Sequence, residues 1–387
     1  MSSQVINYRC PSCDASLHFV GASGRLECEY CGSSFEVAEI EALYAEKEAK
    51  AAEAAKKEEQ RAERTVSEES AAEETAGEES TWDISGLQED WGSDAEGIKA
   101  YSCPSCGAEI LCDANTGASA CPYCGNPGIV PKQFSGALKP DYVLPFKLSK
   151  EDAVAALKKY YGKKKLLLPK VFSTANHIEE VKGIYVPFWL FDATAEGSMS
   201  FEATRSHSHV RDDYIIVDTD HFDVTRGGNL DFEKVPVDAS SKMPDDYMDS
   251  IEPYDYSELK PFSMAYLSGF LADKYDVSIE DCYGRVDERC KKTLEDALRD
   301  AVTGYDTCRK TGFSIQLNRG QVHYALMPVW LLTTKWKDQN FLFAMNGQTG
   351  KMVGALPSGM GRLLGLFAAV AIPLITISVA IVLELIV

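Results

Sequence analysis

Hydrophobic and polar positions along the chain fall into blocks that predict different structures. Over residues 138–356 the alternation of apolar and polar positions, rich in β-branched and aromatic residues, predicts strands in antiparallel pairing. "DYVLPFKLSKEDAVAALKKYY" reads as a short strand followed by a helix capped by Ser149, and "GIYVPFWLFDATAEGSMSFEATR" as strand, turn and strand. The same order returns in "MAYLSGFLADKYDVSIEDCYGRVDERCKKTLEDALRDAV", where Ser278 is the cap, and in "VHYALMPVWLLTTKWKDQNFLFAMNGQTGK". Tyr185, Pro187, Trp189 and Leu190 echo Tyr324, Pro328, Trp330 and Leu331, with an offset that differs by one or two residues. "RDDYIIVDTDHFDVTRGGNLDFEKVPVD" supplies a further hairpin around Gly227 and Gly228, and the Pro- and Asp-containing residues 240–270 an ordered connecting loop. The expectation is an α+β body with internal duplication, two related antiparallel sheets each carrying a helix, divided as 136–260 and 261–356.

Outside the body the pattern changes. Residues 363–383 contain no charge, and a helix of that length spans roughly 30 Å, the thickness of a hydrocarbon core. They predict one C-terminal transmembrane helix within 362–387. Arg362 and Lys351 precede it and nothing basic follows, which places the long N-terminal part in the cytoplasm in a tail-anchored, single-pass topology at the cell membrane. Gly361 and Gly365 form a G-x-x-x-G at its entrance, a spacing also found by chance. Between 38 and 98 strong helix formers give way to polar, acidic sequence with too little apolar surface to fold, which predicts an exposed spacer helix and then a disordered linker. Trp82, Ile84, Leu87 and Trp91 interrupt that linker with large apolar groups, either packed on the neighbouring domain or held for a docking partner.

Charge narrows the function classes. The chain carries a net charge of -20, and residues 36–98 hold 20 Asp and Glu against 6 Lys and Arg, a net -14. That balance argues against a protein that neutralises phosphates.

Two stretches carry the clearest chemistry. Cys10, Cys13, Cys28 and Cys31 are spaced C-x2-C-x14-C-x2-C, and Cys103, Cys106, Cys121 and Cys124 repeat that spacing. Paired thiolates presented from tight turns complete a tetrahedral four-sulfur site, which predicts two zinc ribbons, 1–37 and 99–135, with two structural Zn2+ ions. Gly32, Gly107 and Gly125 follow knuckle cysteines where a left-handed backbone is needed, and Asp14 takes one such place. The opening residues lack the charged start and apolar core of a signal peptide, so the expected compartment is reducing and favours metal over disulfides. Cys112, Cys282, Cys290 and Cys308 stand outside the pattern and read as small buried apolar residues.

No nucleotide-binding P-loop, nucleophile elbow, zinc-protease helix or dinucleotide fingerprint is present, and no catalytic or cofactor-binding residue is assigned. His207 and His209, near Asp212, Asp213, Asp218, Asp220 and His221, could share one strand face, as a metal site or as a polar hairpin rim. Asp245, Asp246, Asp249, Glu252 and Asp255 could form a rim for a basic partner or a solvated loop face.

"CPYCGNP", "YVPFWLFDA", "SSKMPDDYMDSIEPYDYS" and "NFLFAMNGQTGK" before an apolar terminus resemble a group of bacterial transcription-factor-IIB-type zinc-ribbon membrane proteins over residues 100–387. Some members carry a primosomal-helicase-like label through the ribbon alone, and this chain lacks any helicase motor. The architecture also resembles zinc-ribbon membrane proteins encoded beside flotillin-type (SPFH) and phage-shock-A-type proteins, which implies recruitment of those peripheral proteins during envelope stress. The additional N-terminal ribbon departs from the group. The resulting expectation is a non-enzymatic membrane adaptor with cytoplasmic protein partners; the competing expectation is a membrane-tethered zinc-ribbon regulator that binds nucleic acid.

Overall fold

The computed structural model describes residues 8–13, 15–44, 82–88, 91, 95, 98–113, 116, 118, 120–132, 138–163, 178–211, 214–336, 339–355, 365, 367–376 and 378. The first ribbon is a small antiparallel sheet of β1 (Leu17–Val20), β2 (Arg25–Cys28) and β3 (Ser34–Phe35), followed by helix α1 over 37–44. Leu17, Phe19, Leu26, Val37 and Ile40 form its core. Ile40 is fully buried, so the start of the expected spacer helix belongs to the ribbon. The remainder of that spacer lies outside the described residues.

The second ribbon and the body form one eleven-stranded sheet. Its strands are β4 (Ile98–Ser102), β5 (Glu109–Asp113), β6 (Val130–Lys132), β7 (Tyr142–Val143), β8 (Ile178–Arg211), β9 (Tyr214–Asp238), β10 (Lys260–Pro261), β11 (Leu271–Asp273), β12 (Thr307–Trp336), β13 (Gln339–Asn346) and β14 (Met352–Gly354). The helices are α2 (Lys150–Lys163), α3 (Asp245–Ile251) and α4 (Ile279–Asp300). Ser149 and Ser278 accept from the backbone N–H groups of Asp152 and Asp281, both at 3.2 Å, and cap α2 and α4 as expected.

Three expectations are corrected. First, the body is one mixed sheet, because β7 pairs in parallel with β12 and β11 in parallel with β8. Each short strand has crossed to the other half, and the long separation in sequence supplies the crossover that a parallel pair requires. Second, 183–205 contains no turn: β8 runs through, with a register shift between Phe191 and Ala193. There Asp192 accepts from the backbone N–H of Lys234 at 2.7 Å, holding Lys234 at φ 57°. Third, the chain does not turn at Gly227 and Gly228, which pair with Ser198 and Gly197 inside β9. A Cβ on Gly228 would lie 3.8 Å from Leu298, an ordinary contact distance, so the packing of α4 on the sheet does not depend on glycine there.

The two halves meet in matching registers. β8 and β12 cross at the pair Val186–Met327. On one side the Trp189 indole donates to the Val277 carbonyl (3.1 Å), and on the other the Trp330 indole donates to the Leu148 carbonyl (3.0 Å). Both acceptors directly precede a helix-capping serine. Likewise the Ala239 N–H donates to Pro187 O and the Gly347 N–H to Pro328 O, each at 2.9 Å. Replacing either tryptophan by phenylalanine removes one buried hydrogen bond and should cost roughly 1–3 kcal/mol. Urea unfolding midpoints should fall by similar amounts for the two variants; a shift in one only would contradict equivalent roles.

Trp82 and Trp91 are buried in the main core, with Trp82 edge-on to Phe191 at 4.8 Å and Trp91 edge-on to Phe262 at 5.7 Å. Asp83 is bound on both sides by Gly320 and Val322, each at 2.9 Å, so this segment is a strap on the body. Of the predicted span at 363–383, residues 365, 367–376 and 378 are described and are helical, and the rest lies outside the described residues. Among the described residues no helix is long and apolar enough to cross a membrane.

Candidate metal centres

Four knuckles share one backbone design. The N–H groups of Cys10, Cys28, Cys103 and Cys121 donate to the carbonyls of Ala15, Ser33, Ala108 and Asn126 at 2.7–2.9 Å, closing the chain around the sulfur. In three of them a glycine N–H returns to the first cysteine's carbonyl: Gly32 to Cys28, Gly107 to Cys103 and Gly125 to Cys121. These glycines lie at φ 72°, 74° and 72°, a left-handed conformation that disfavours a side chain. Asp14, in the remaining knuckle, lies outside the described residues.

The knuckles bring all eight predicted cysteines into two clusters, with the sulfurs of each within 4.8 Å of one another. Sulfur separations are 3.5 Å for Cys10–Cys31 and Cys13–Cys28, and 3.6 Å for Cys103–Cys124 and Cys106–Cys121. A disulfide would bring a pair to about 2.05 Å. Four sulfurs at about 2.3 Å from a tetrahedral metal ion stand about 3.8 Å apart, close to what is seen. The donor set therefore fits a thiophilic metal ion, and four protein ligands leave no open coordination position.

Local hydrogen bonds prepare one thiol in each cluster. The Ser33 hydroxyl and backbone N–H bring Cys31 down to about 6. Burial raises Cys103, but the N–H groups of Cys106 and Ser105 and the neighbouring thiols outweigh it and leave Cys103 at about 7. A thiolate available near neutral pH can receive the ion, which then draws off the remaining thiol protons.

The surroundings differ. Cys103 and Cys121 belong to the same core as Ile184, Phe188 and Met243, and β5 is tied to β11 by three paired residues. The hydroxyl of Tyr123, in the second knuckle, is buried beside Asp273 and Ser240. Asp273 accepts from the Ser240 hydroxyl. Burial pushes Asp273 up to about 7, against the Ser240 and Tyr123 hydroxyls, and pushes Asp238 up to about 6 despite Arg285. Both carboxyls are raised above their unfolded values, so their stabilising contribution is complete below about pH 4 and is lost as pH rises through 6 and 7. Asp273→Asn should remove the upper part of that loss, read as a flatter melting temperature between pH 5 and 8 (~3 pH units). An unchanged slope would show that Asp273 is not the titrating group.

Residues 8–44 and the eleven-stranded sheet meet at Ser268. Its hydroxyl lies 2.7 Å from the Leu17 carbonyl and 3.3 Å from Asp113 Oδ2, and its carbonyl accepts from the Phe19 N–H at 3.3 Å. The first ribbon is therefore docked on the body at the edge of the second.

With the sites described, comparison with known proteins places the chain. It is 33% identical over 323 residues to the uncharacterized protein YdjG of Bacillus subtilis (strain 168), covering 71% of this chain and 94% of that protein. The chain belongs to the YdjG family. No family model matches it, and no solved structure matches it.

In this member of the YdjG family the other candidates resolve differently. Cys112 is buried with its Sγ 3.2 Å from the Thr116 carbonyl, and Cys282 and Cys290 are buried on the sheet-facing side of α4. Cys308 is exposed, contrary to expectation, because its end of β12 lies on the solvated arm. His207 and His209 face Asp220 and Asp218 across the β8–β9 ribbon at 3.9 and 3.5 Å, and no metal cluster forms around them among the described residues. The acidic rim is largely taken up within the chain: Arg285 pairs with Asp245 at 3.2 Å and with Asp249 at 3.3 Å, Arg289 pairs with Glu252, and Asp255 accepts from the Ser257 N–H. Ser268, Asp273 and Tyr123 were not singled out from sequence. Tyr123 stands inside a cysteine knuckle, where an aromatic residue is the one available signal.

Proposed function

We propose that this chain is a non-enzymatic, tail-anchored membrane adaptor with two zinc-loaded ribbons that present an α+β platform to cytoplasmic proteins. The observation that carries this reading is the closed character of both sulfur clusters. A four-cysteine set fills the coordination sphere of Zn2+ and supplies architecture, whereas catalytic zinc sites keep a position open. The described part of the C-terminal segment supports anchoring, because Phe367, Val370, Ile372, Leu374 and Ile375 are exposed on one apolar helix. Arg25 pairs with Glu36, and Lys132 with Glu109, so ribbon cations are engaged within the chain; this favours protein over nucleic-acid partners. The resemblance to proteins encoded beside flotillin-type and phage-shock-A-type proteins gives those two classes as first partners to test.

The experiment is affinity capture of the full chain from detergent-solubilised membranes, with and without a zinc chelator. The adaptor reading expects a stoichiometric protein partner that is lost on chelation. Capture of nucleic acid in place of protein, with affinity falling steeply as salt rises, would replace it with the regulator reading.

A further inference from the structure

We propose that the two metal centres are unequal: the second is locked into the body, whereas the first is releasable, and its metal holds ribbon 1 over the Ser268 junction. This rests on the zinc-loaded reading of both clusters. Cys103 and Cys121 are fully buried among body side chains, so metal and platform form one core. Cys10 and Cys28 instead belong to a separate small core to which the body contributes Ala265, flanked by Tyr266 and Phe270. Cys31 is exposed where its counterpart Cys124 is half-buried, which opens that centre to a competing ligand.

Docking of ribbon 1 depends on the same sulfurs. Leu17, whose carbonyl accepts from Ser268, pairs directly with Cys28 across β1 and β2. Phe19, whose N–H reaches the Ser268 carbonyl, packs edge-on against Tyr266 at 5.1 Å. Gly21 lies so close to the Phe146 carbonyl that an added Cβ would sit 2.1 Å from it, so this contact tolerates little displacement. Without its metal, a ribbon with this few core residues cannot hold β1 in register. The junction would then open, uncovering Ala265, Ser268 and Phe270 beside Asp113 of the second ribbon. The inferred device is a cover that responds to chelators of thiophilic divalent ions.

The test is metal release from the zinc-loaded full chain in detergent, followed with pyridylazoresorcinol and, in parallel, by hydrogen exchange. The expected result is two phases of one equivalent each, the first faster by about tenfold or more, as exposure dictates. With the first equivalent, residues 17–20 and 264–270 should lose protection while 98–113 keep theirs. Cys13→Ser should abolish the fast equivalent and retain the slow one. Ser268→Ala, which keeps every ligand, should accelerate the fast phase and leave the slow phase unchanged. A single release phase, a fast phase that survives Cys13→Ser, or continued protection of 264–270 after the first equivalent has left would each overturn the inference while leaving zinc binding intact. A chain that starts without zinc would overturn the zinc reading itself.

Discussion

Replacing Cys103 and Cys121 together by serine is expected to destroy the folded platform, with loss of cooperatively melting protein. These two sulfurs are fully buried and share a core with Ile184, Phe188, Leu190 and Met243. Serine there leaves polar hydroxyls in an apolar core and removes half of a ligand set. Structural zinc contributes about 10–16 kcal/mol of apparent binding energy in zinc-finger peptides, on the order of a whole domain's stability. Strand β5 of the second ribbon pairs with β11, which pairs in turn with β8, so disorder in the ribbon reaches the long central strands. The check is a thermal melt followed by circular dichroism, with Cys10→Ser/Cys28→Ser as the comparison. The comparison should melt near the unaltered chain, because its sulfurs sit in the separate core of ribbon 1. Equal damage from both pairs would refute the assignment of the second centre to the body's core.

Deleting residues 362–387 is expected to move the protein from the membrane pellet to the soluble fraction. On the proposed anchoring, the uncharged residues 363–383 would insert as a helix whose length matches the hydrocarbon thickness, and such insertion is effectively irreversible. Exposed Phe367, Val370, Ile372, Leu374 and Ile375 on its described part leave large apolar surface for lipid to cover. The readout is fractionation with an alkaline carbonate wash, which strips peripheral proteins. Full-length protein that washes off, or truncated protein that stays in the pellet, would reject the anchor.

How far these features could be read from sequence depends on their range. The eight cysteines, the serine caps and the Pro–Trp–Leu echo were legible because each is a local pattern with a fixed spacing. The crossing of β7 to β12 and of β11 to β8 was not, since strands of two and three residues carry almost no periodicity and their partners lie far along the chain. The Gly227–Gly228 pair carried a turn signal, yet both glycines lie inside β9 opposite Ser198 and Gly197 of β8, a pairing no local window contains. The acidic residues 245–252 looked like a solvated or partner-facing rim because their cations, Arg285 and Arg289, lie on α4, beyond β10 and β11. The docking of ribbon 1 was not legible for the same reason: its anchor, Ser268, is a serine about 250 residues away.

Metal analysis of the intact, full-length chain, purified without added metal, tests the central claim most directly. Two zinc equivalents per chain, with the eight knuckle thiols unreactive toward a thiol reagent until a chelator is added, is the result predicted by two closed four-sulfur centres. Folded protein that contains no stoichiometric metal, or whose knuckle cysteines are joined as disulfides, would contradict it.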